Sequence, residues 1–544
     1  MTSLTVIGAG LGGFSAAIAG ADAGLDVRLI ERGEHFGGAA AFSGGQVWVG
    51  GNHVADREGS LDSVDETLSY IAALTVADPT SYEPQRAREW VVSARRAAQW
   101  FEDHGVIEWT IIPGYPDYYW PDVEGSKPAG RYLTTTPYDA SNLGDWRDLL
   151  IEGPHFPVGI SYDEAFALGG MATRSDEFRQ LLAQRRSDDI LTFGRGVLAA
   201  FAAGARRAGV SLLTATEATQ LVTTDNTVTG VRVSGPEGVD VLDGPVILAT
   251  GSHDWATAPH PPVTPLDPVD SGSLAPRTLH GDIFEFAEQV GAATGTIPNW
   301  AAPVLPGYEI AAPEFSDDPG FRTCVEHCLP HAIIVNRAGE RFCDDSWHPD
   351  IVEAALREQG ATRPHVPMFM IWDSFHHRRY GLGATAPGQP YPASLVTSAN
   401  TLEALGTALG VDAAGLAGAV ESFNGPARTG SDPSFGRGTK LSVRMFRGDL
   451  THEPNPVLGP VEEPPFFGMR LKIVNTGIAS AGIMTTDHGR VARADGTAIP
   501  GLYAVGECAL RTTAGVAYNS GFSLSRAMTY GWLAARHAAG VVDD

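Results

Sequence analysis

Residues 4–31 read LTVIGAGLGGFSAAIAGADAGLDVRLIE. The apolar run at 4–7 predicts a short buried parallel strand, and a glycine-rich turn follows it at once. The next apolar stretch, about 14–23, predicts a helix, and a second strand at 26–30 ends in Glu31. This order of strand, turn, helix, strand and acid is typical of a βαβ unit that binds a dinucleotide.

Three glycines of the turn and the acid each have a physical role in such a unit. Gly8 permits the tight turn, Gly10 lets the backbone approach a pyrophosphate, and Gly13 lets the helix pack on the strand. The first N–H groups of the helix attract the phosphate charge. Glu31 is placed to accept hydrogen bonds from both hydroxyls of an adenosine ribose, and an acid there disfavours a 2′-phosphate.

A second glycine-rich stretch follows Glu31 and favours FAD over NAD. It suits a cofactor whose pyrophosphate and ribityl chain run deep into the protein. No second complete dinucleotide fingerprint occurs later in the sequence, so we expect the electrons to come from, or go to, something other than a nicotinamide. The residues of this stretch that we expect to contact FAD are Arg32, Gly38, Ala39, Ser43, Gly44 and Gly45.

Two later segments also have a predicted strand that is followed directly by a glycine. The strand predicted at 246–250 ends in a glycine, and the strand predicted at 499–505 ends in Gly-Glu. Ser523 is predicted to cap a helix that runs to about His537, with its positive N-terminal end directed at the flavin pyrimidine ring. The further residues expected to contact FAD are Ala218, Gly251, Glu507, Ser523 and Leu524.

Composition excludes several classes of protein. The 544 residues carry a formal net charge of −26, which disfavours nucleic acid and anionic membranes as partners. Four cysteines do not make a disulfide framework. No apolar run is long enough to span a membrane, and no basic leader precedes the first strand, so a cytoplasmic protein is expected.

Several motifs identify a family that the chain resembles over nearly its whole length. The matching stretches are 8–31, Ser43-Gly44-Gly45 with Trp48 and Asn52, 116–119 with Gly130-Arg131, Val335-Asn336 with 339–342, and 499–507. These resemble the FAD-dependent 3-ketosteroid dehydrogenases of the fumarate reductase and succinate dehydrogenase flavoprotein superfamily.

The resemblance implies an α/β protein whose Rossmann-like FAD-binding domain is discontinuous. Residues 255–280 are rich in Pro, His and Asp and predict a crossing between domains. We therefore expect an FAD-binding domain at 1–275 and 451–544, split by an inserted α+β catalytic domain at 276–450.

The resemblance also implies a reaction, the removal of two vicinal hydrogens beside a ring ketone. A base takes the α proton while the carbonyl oxygen is polarised, and the β hydrogen leaves as hydride to flavin N5. Tyr518 and the N–H of Gly521 match the family's ketone-polarising pair. Tyr119 matches a tyrosine that supports or performs proton transfer, and its use as a base needs a nearby positive field because an ordinary tyrosine has a pKa of about 10.

Two departures from the family pattern leave the base and the bond position open. The stretch 343–350 lacks the tyrosine that many steroid 1-dehydrogenases have, so the usual base is absent or is replaced by His348 or one of the aspartates, unless His348 is a surface histidine. The Tyr-x-Ser spacing of Tyr518 and Ser520 is similar to that of 4-dehydrogenases acting on 5α-reduced 3-ketosteroids, in which the serine assists proton transfer.

Other substrates and functions stay open. A small ketone such as an oxocyclohexane carboxylate suits the same chemistry, and an arginine would bind its carboxylate. An ene-reductase similar to fumarate reductase and a flavin-bound sensor without turnover are the competing functions. The electron acceptor, a quinone or another compound, is unknown. The candidate arginines are Arg131, Arg378, Arg379 and Arg511.

Two histidine-containing clusters are set aside. Cys324, His327, Cys328 and His331 would share a face of one helix, but four ligands on a single helix surround a tetrahedral ion poorly and Pro330 interrupts the helix. We therefore predict no metal site. The run 376–379, His-His-Arg-Arg, predicts an exposed charged turn.

Overall fold

In a computed structural model, the first strand Ser3–Ile7 lies inside a six-stranded sheet. The structure describes residues 2–541 except 154–158, 172–174, 257–265, 299–300, 302–303, 311–317, 319 and 357–362. At one edge of this sheet the strands Arg490–Ala492 and Ala498–Ala504 are antiparallel, and all other neighbouring strands are parallel. The order across the sheet is Arg490–Ala492, Ala498–Ala504, Val246–Leu248, Ser3–Ile7, Asp26–Ile30 and Ser211–Leu213.

The helix that follows the first strand, Leu11–Asp22, packs against the last helix of the chain, Phe522–Ala538. Their backbones approach so closely that a Cβ on Gly531 would lie 2.4 Å from the carbonyl oxygen of Gly12. Small residues are therefore required at this crossing, and the first and last segments of the chain form one layer over the sheet.

A second sheet is built around the ten-residue strand Phe466–Asn475. The main path of this seven-stranded sheet runs Phe321–Thr323, Leu305–Glu309, Phe466–Asn475, Met368–Trp372 and Ala332–Val335. Ser271–Ser273 and Thr397–Ala399 also pair with the long strand. The sheet thus takes strands from both sides of the limits 276 and 450 that the sequence predicts for the inserted domain; the domain limits themselves stay a prediction.

Smaller sheets surround these two. The stretches 219–222 and 228–233 have sequences typical of strands, and in the structure they lie within longer strands that form a three-stranded sheet with a third strand. The small sheets are Glu217–Thr224, Thr227–Gly235 and Gly238–Asp243; Val47–Trp48, Trp109–Ile111 and Tyr132–Thr135; Thr294–Thr296 with Ala481–Ile483; and Tyr138–Asp139 with Ile190–Leu191.

Helices cover both main sheets. The longest is Pro84–Asp103, whose apolar face buries Trp90, Ala94, Ala97 and Phe101, as the spacing in the sequence predicts. The other α-helices are Gly38–Ala41, His53–Arg57, Val64–Leu74, Tyr162–Ala167, Asp176–Ser187, Phe193–Arg207, Ile283–Val290, His348–Leu356, Ser374–Tyr380, Leu402–Leu409, Ala413–Ala427 and Leu441–Phe446. Single 3₁₀ turns are Pro79–Ser81, Glu326–Cys328, Asp487–Gly489 and Gly506–Cys508, and Ala140–Leu149 is a longer kinked one.

No helix among the described residues is long and apolar enough to cross a membrane.

Candidate active site

The glycine turn after the first strand has the geometry that a dinucleotide requires. Gly8 has a φ of 103°, and a Cβ there would lie 2.4 Å from the carbonyl oxygen of Ala249. A Cβ on Gly13 would lie 1.9 Å from the carbonyl oxygen of Gly8. At Gly10 the nearest atom to such a Cβ is 3.9 Å away. Gly8 and Gly13 are therefore required by packing, whereas Gly10 faces open space.

That open space is a cavity of about 350 Å³ that runs along the carboxyl ends of the parallel strands, where open α/β sheets bind their ligands. Of the residues predicted to contact FAD, only Gly13 and Gly45 do not line it. A Cβ on Gly45 would lie 2.3 Å from the backbone of Phe193, so this glycine serves packing. The predicted residues that do line the cavity are Gly8, Gly10, Glu31, Arg32, Gly38, Ala39, Ser43, Gly44, Ala218, Gly251, Glu507, Ser523 and Leu524.

Glu31 is held in the cavity wall by the backbone. Its carboxylate accepts hydrogen bonds from the N–H of Ala9 at 3.0 Å and of Gly33 at 2.9 Å. Burial raises the pKa of this carboxyl above its ordinary value, and the two N–H donors oppose the rise. The carboxylate therefore has a fixed orientation, and its remaining lone pairs are directed at the space where a ribose would lie.

Unpartnered donors in the same wall fit a diphosphate. Neither of the helices Leu11–Asp22 and Phe522–Ala538 has a side-chain cap or an acidic residue in its first turn, so both present free N–H groups and a positive end. Within the described residues, Arg32 Nη1 and Thr250 Oγ1 are buried without a hydrogen-bond partner. Both residues line the cavity. The wall thus supplies the donors that FAD needs.

The prediction that Ser523 caps the last helix is wrong. The cap residue is Gly521, which has a φ of 85° in the left-handed region. A side chain could not fit there, since a Cβ would lie 2.7 Å from the backbone nitrogen of Trp48. Ser523 is in the first turn of the helix, and its hydroxyl donates to Glu507 at 2.6 Å.

Three rings meet at the other end of the cavity. The ring centroids of Tyr118 and His348 are 5.7 Å apart, those of Tyr118 and Tyr518 are 6.1 Å apart, and those of His348 and Tyr518 are 6.3 Å apart. Ser520 and Gly521 line the same end. Four of the five predicted catalytic residues are therefore brought together: Tyr518, Ser520, Gly521 and His348.

Tyr119 is the exception, because its neighbour Tyr118 lines the cavity instead. Tyr119 packs edge-on against Trp347, with ring centroids 5.7 Å apart. The residue before these tyrosines, Asp117, is held in place by its buried carboxylate, which accepts from Trp48 Nε1 at 2.7 Å and pairs with Arg131 at 2.8 Å.

Asn519 joins the Tyr118 segment to the Tyr518–Gly521 segment. Its side-chain oxygen accepts from the N–H of Tyr118 at 3.0 Å and from the hydroxyl of Tyr70 at 2.8 Å. Its side-chain nitrogen donates to the hydroxyl of Tyr132 at 2.8 Å. Sequence reasoning passed over Asn519, although an amide between two predicted catalytic residues is a signal for such a role.

Burial favours the uncharged form of all three rings. Burial raises the pKa of Tyr518 far above its ordinary value, so its hydroxyl stays protonated. Burial also raises the pKa of Tyr118, while the Arg447 guanidinium and hydrogen bonds with Ser520 and Tyr115 oppose the rise. Burial, together with Arg447, lowers the pKa of His348 well below 6.5. His348 is therefore a neutral residue of the cavity wall. It is not a surface histidine, and its lowered pKa means that it does not titrate near neutral pH.

None of the four arginines that the sequence suggests for binding a carboxylate lines the cavity. Each already has a partner elsewhere in the fold. The partners are Asp62 and Asp117 for Arg131, Glu463 for Arg378, Asp449 for Arg379, and the carbonyl of Ala301 for Arg511. Besides Arg32, Arg447 lines the cavity, and sequence reasoning missed it.

The two clusters set aside from the sequence are not as expected. The predicted exposed turn at 376–379 lies in the helix Ser374–Tyr380, and His376 is fully buried, with its Nε2 3.1 Å from the carbonyl oxygen of Glu326. The shared helix considered for 324–331 does not form, since only Glu326–Cys328 is helical. Among the described residues, no group of three or more His, Cys, Asp or Glu is arranged to hold a metal.

Comparison with known proteins accounts for this arrangement. The model of the FAD binding domain family matches residues 4–524. The chain belongs to this family. The predicted cofactor, FAD, is thereby confirmed, and the similar proteins reported next confirm the predicted family resemblance.

Family members of known activity match over nearly their whole length. The chain is 29% identical to a 3-oxosteroid 1-dehydrogenase of Mycolicibacterium smegmatis, over 98% of this chain and 96% of the relative. It is 30% identical to a 4-oxocyclohexanecarboxylate 2-dehydrogenase of Sinomonas cyclohexanicum, over 99% of this chain and 92% of the relative. The chain is thus an FAD-dependent dehydrogenase.

Solved structures confirm the predicted fold class. The 3-ketosteroid delta1-dehydrogenase from Sterolibacterium denitrificans, in complex with 1,4-androstadiene-3,17-dione, superposes with a TM-score of 0.86 at 26% identity, covering 99% of this chain and 100% of that chain.

Proposed function

We propose that this protein desaturates a cyclic ketone, removing one hydrogen from the α carbon and one from the adjacent β carbon. The observation that carries the proposal is a pair of free donors at one end of the cavity. Within the described residues, the hydroxyl of Tyr518 and the N–H of Gly521 donate no hydrogen bond, and both residues line the cavity. Two such donors suit a ketone oxygen that gains negative charge during the reaction.

The donors are held rigidly, as this chemistry requires. Tyr518 stays protonated because burial raises its pKa. Gly521 is fixed by its own carbonyl, which accepts from the N–H of Trp48 at 3.2 Å. A donor pair that does not have to reorganise stabilises developing charge more than it stabilises the neutral ketone.

The α proton goes to Tyr118 in this proposal, in the place that the sequence predicts for Tyr119. Tyr118 acts as its phenolate, which the positive field of Arg447 favours against burial. The hydroxyl of Ser520 donates to Gln46 Oε1 at 2.7 Å, so its oxygen can accept a hydrogen bond from Tyr118 once Tyr118 has taken up the α proton. This gives Ser520 an assisting role. His348 is a weaker base because its pKa is lowered.

FAD, when bound, supplies the two-electron acceptor for the β hydrogen as hydride. The ring system of the cofactor is expected beside the rings of Tyr118 and Tyr518, since the same cavity continues to Glu31. The electrons then pass to an acceptor that we propose to be a quinone or another compound rather than a nicotinamide.

The proposal has two forms, which differ in the size of the ketone: a steroid or a single-ring compound. The relatives named above include a dehydrogenase of 3-oxosteroids and one of 4-oxocyclohexanecarboxylate. Both names describe ring ketones, which is the class proposed for this chain.

An anaerobic titration tests the function. Purified flavoprotein is mixed with saturated cyclic ketones of graded size, and the flavin absorbance is followed. At least one ketone is expected to bleach the flavin and to yield its α,β-unsaturated product. If no ketone bleaches it and only activated alkenes reoxidise the dithionite-reduced protein, the chain is an ene-reductase and the proposal is wrong. If neither reaction occurs, a sensor without turnover remains.

A further inference from the structure

The helix Leu441–Phe446 ends at Arg447, which is placed on the wall of the cavity. The N–H of Arg447 closes the helix by donating to the carbonyl of Val443 at 2.8 Å. Its guanidinium lies 5.4 Å from the centroid of the Phe446 ring. The residue also lines a smaller cavity of about 10 Å³, whose wall includes Tyr118 and His348 as well. Arg447 therefore belongs to the catalytic end of the site.

Among the residues that the structure describes, the guanidinium of Arg447 has no anionic partner. No carboxylate lies within 4.0 Å of it in the part of the chain that the structure describes. The other arginine on the cavity wall, Arg32, pairs with Glu217 and Asp282. An arginine at a partly buried site is ordinarily paired, and this chain, with a net charge of −26, has a large excess of carboxylates.

The groups that face the same cavity do not neutralise Arg447. Tyr118, Tyr518 and His348 are uncharged at neutral pH, and the charge of Arg447 acts on the pKa of all three. Glu326 also lines the cavity, but its carboxylate accepts from the N–H of Gly383 at 2.9 Å and makes no ion pair with Arg447. The positive charge is thus available to whatever occupies the catalytic end.

We propose that Arg447 binds a carboxylate carried by the substrate, so that the substrate is an oxo acid with its ketone in a ring. The inference rests on the function proposed above and narrows it. A guanidinium and a carboxylate form two parallel charge-assisted hydrogen bonds. That contact would hold the ring in one orientation, with its ketone oxygen at Tyr518 and Gly521.

Matched substrates test this inference on the holoenzyme. The probes are 4-oxocyclohexane-1-carboxylate, its methyl ester, and a 3-oxosteroid with and without a carboxylate on the ring farthest from the ketone. The acid of one pair is expected to have a kcat/KM on the order of 10- to 100-fold above its neutral partner, as for a hydrogen bond to a charged group. Which pair has the preference distinguishes a small acid from a steroid acid.

The variant Arg447→Met is expected to slow both substrates through the lost field on Tyr118 and, in addition, to abolish the preference for the acid by raising the KM of the acid alone; Arg447→Lys should restore part of that preference. Arg444→Met is the matched control, because Arg444 belongs to the same helix but does not line the cavity. If Arg447→Met slows acid and ester equally, Arg447 acts on Tyr118 and not on the substrate, and the inference is overturned.

Binding gives a readout that does not need turnover. Calorimetry should detect the acid bound to the wild-type holoenzyme and at least tenfold weaker binding to Arg447→Met. If neutral ketones bleach the flavin but acids bind no more tightly than esters, the inference fails and the proposed function stands. If an acid binds through Arg447 but no ketone of any kind bleaches the flavin, the proposed function fails and the anion site stands.

Discussion

Replacing Tyr518 with phenylalanine isolates one of the two donors proposed for the ketone oxygen. The hydroxyl of Tyr518 has no partner among the described residues, so its loss leaves no buried group unsatisfied and the fold should be as stable as before. The N–H of Gly521 remains. Loss of one of two oxyanion donors costs roughly 100- to 1000-fold in rate, or about 3–4 kcal/mol of transition-state stabilisation.

The assay is anaerobic stopped-flow reduction of the bound flavin by a cyclic ketone, with flavin content and the thermal unfolding midpoint measured for each variant. The matched control is Tyr530→Phe. Tyr530 lies on the last helix outside the cavity, and its hydroxyl donates to Glu89 at 2.9 Å. That variant should keep its rate. A loss of less than about threefold in Tyr518→Phe, at full flavin content, would refute the role given to this hydroxyl.

Three further predictions follow from the same geometry. The pH profile of flavin reduction identifies the base: because the pKa of Tyr118 is raised, the rate should climb with pH from 7 to about 10 without a plateau. If His348 were the base, its lowered pKa would give a rate that does not change above about pH 6.5. The variant Tyr118→Phe should remove the rise of the rate with pH, whereas His348→Gln should not. Glu31→Gln should release FAD at least tenfold more readily in equilibrium dialysis, because a charge-assisted acceptor becomes neutral. Asn519→Leu should lower the free energy of unfolding by about 2–4 kcal/mol in denaturant titration, since buried partners of the amide lose their bonds, and retention of wild-type stability would contradict its joining role.

Much of the cofactor half of the site was predictable because its determinants are local. A positive φ at Gly8, the packing of Gly13 and the carboxylate of Glu31 all follow from a strand, a turn and a helix that are contiguous in sequence. The unbroken apolar runs near 332–335 and 368–372 likewise predict strands, and the structure has the strands Ala332–Val335 and Met368–Trp372 there.

The catalytic half depends on contacts between distant segments, and there the sequence was less informative. Nothing local distinguishes Tyr118 from Tyr119; the contacts around them, such as the ion pair of the neighbouring Asp117 with Arg131 and the bond from the N–H of Tyr118 to Asn519, join segments distant in sequence. Arg447 is likewise an ordinary arginine in sequence, and its place on the cavity wall is known only once its helix is docked.

The strand Phe466–Asn475 has a consequence for biosynthesis. It is the centre of the second sheet, yet it is made only after most of that sheet's other strands. The edge of the first sheet, Arg490–Ala492 and Ala498–Ala504, is made later still. Neither sheet can form completely until these late strands have been synthesised, so apolar strand edges remain unpaired and exposed during translation. Nascent chains halted before residue 466 should therefore depend on chaperones and be degraded quickly, whereas release of the finished polypeptide lets both sheets close together.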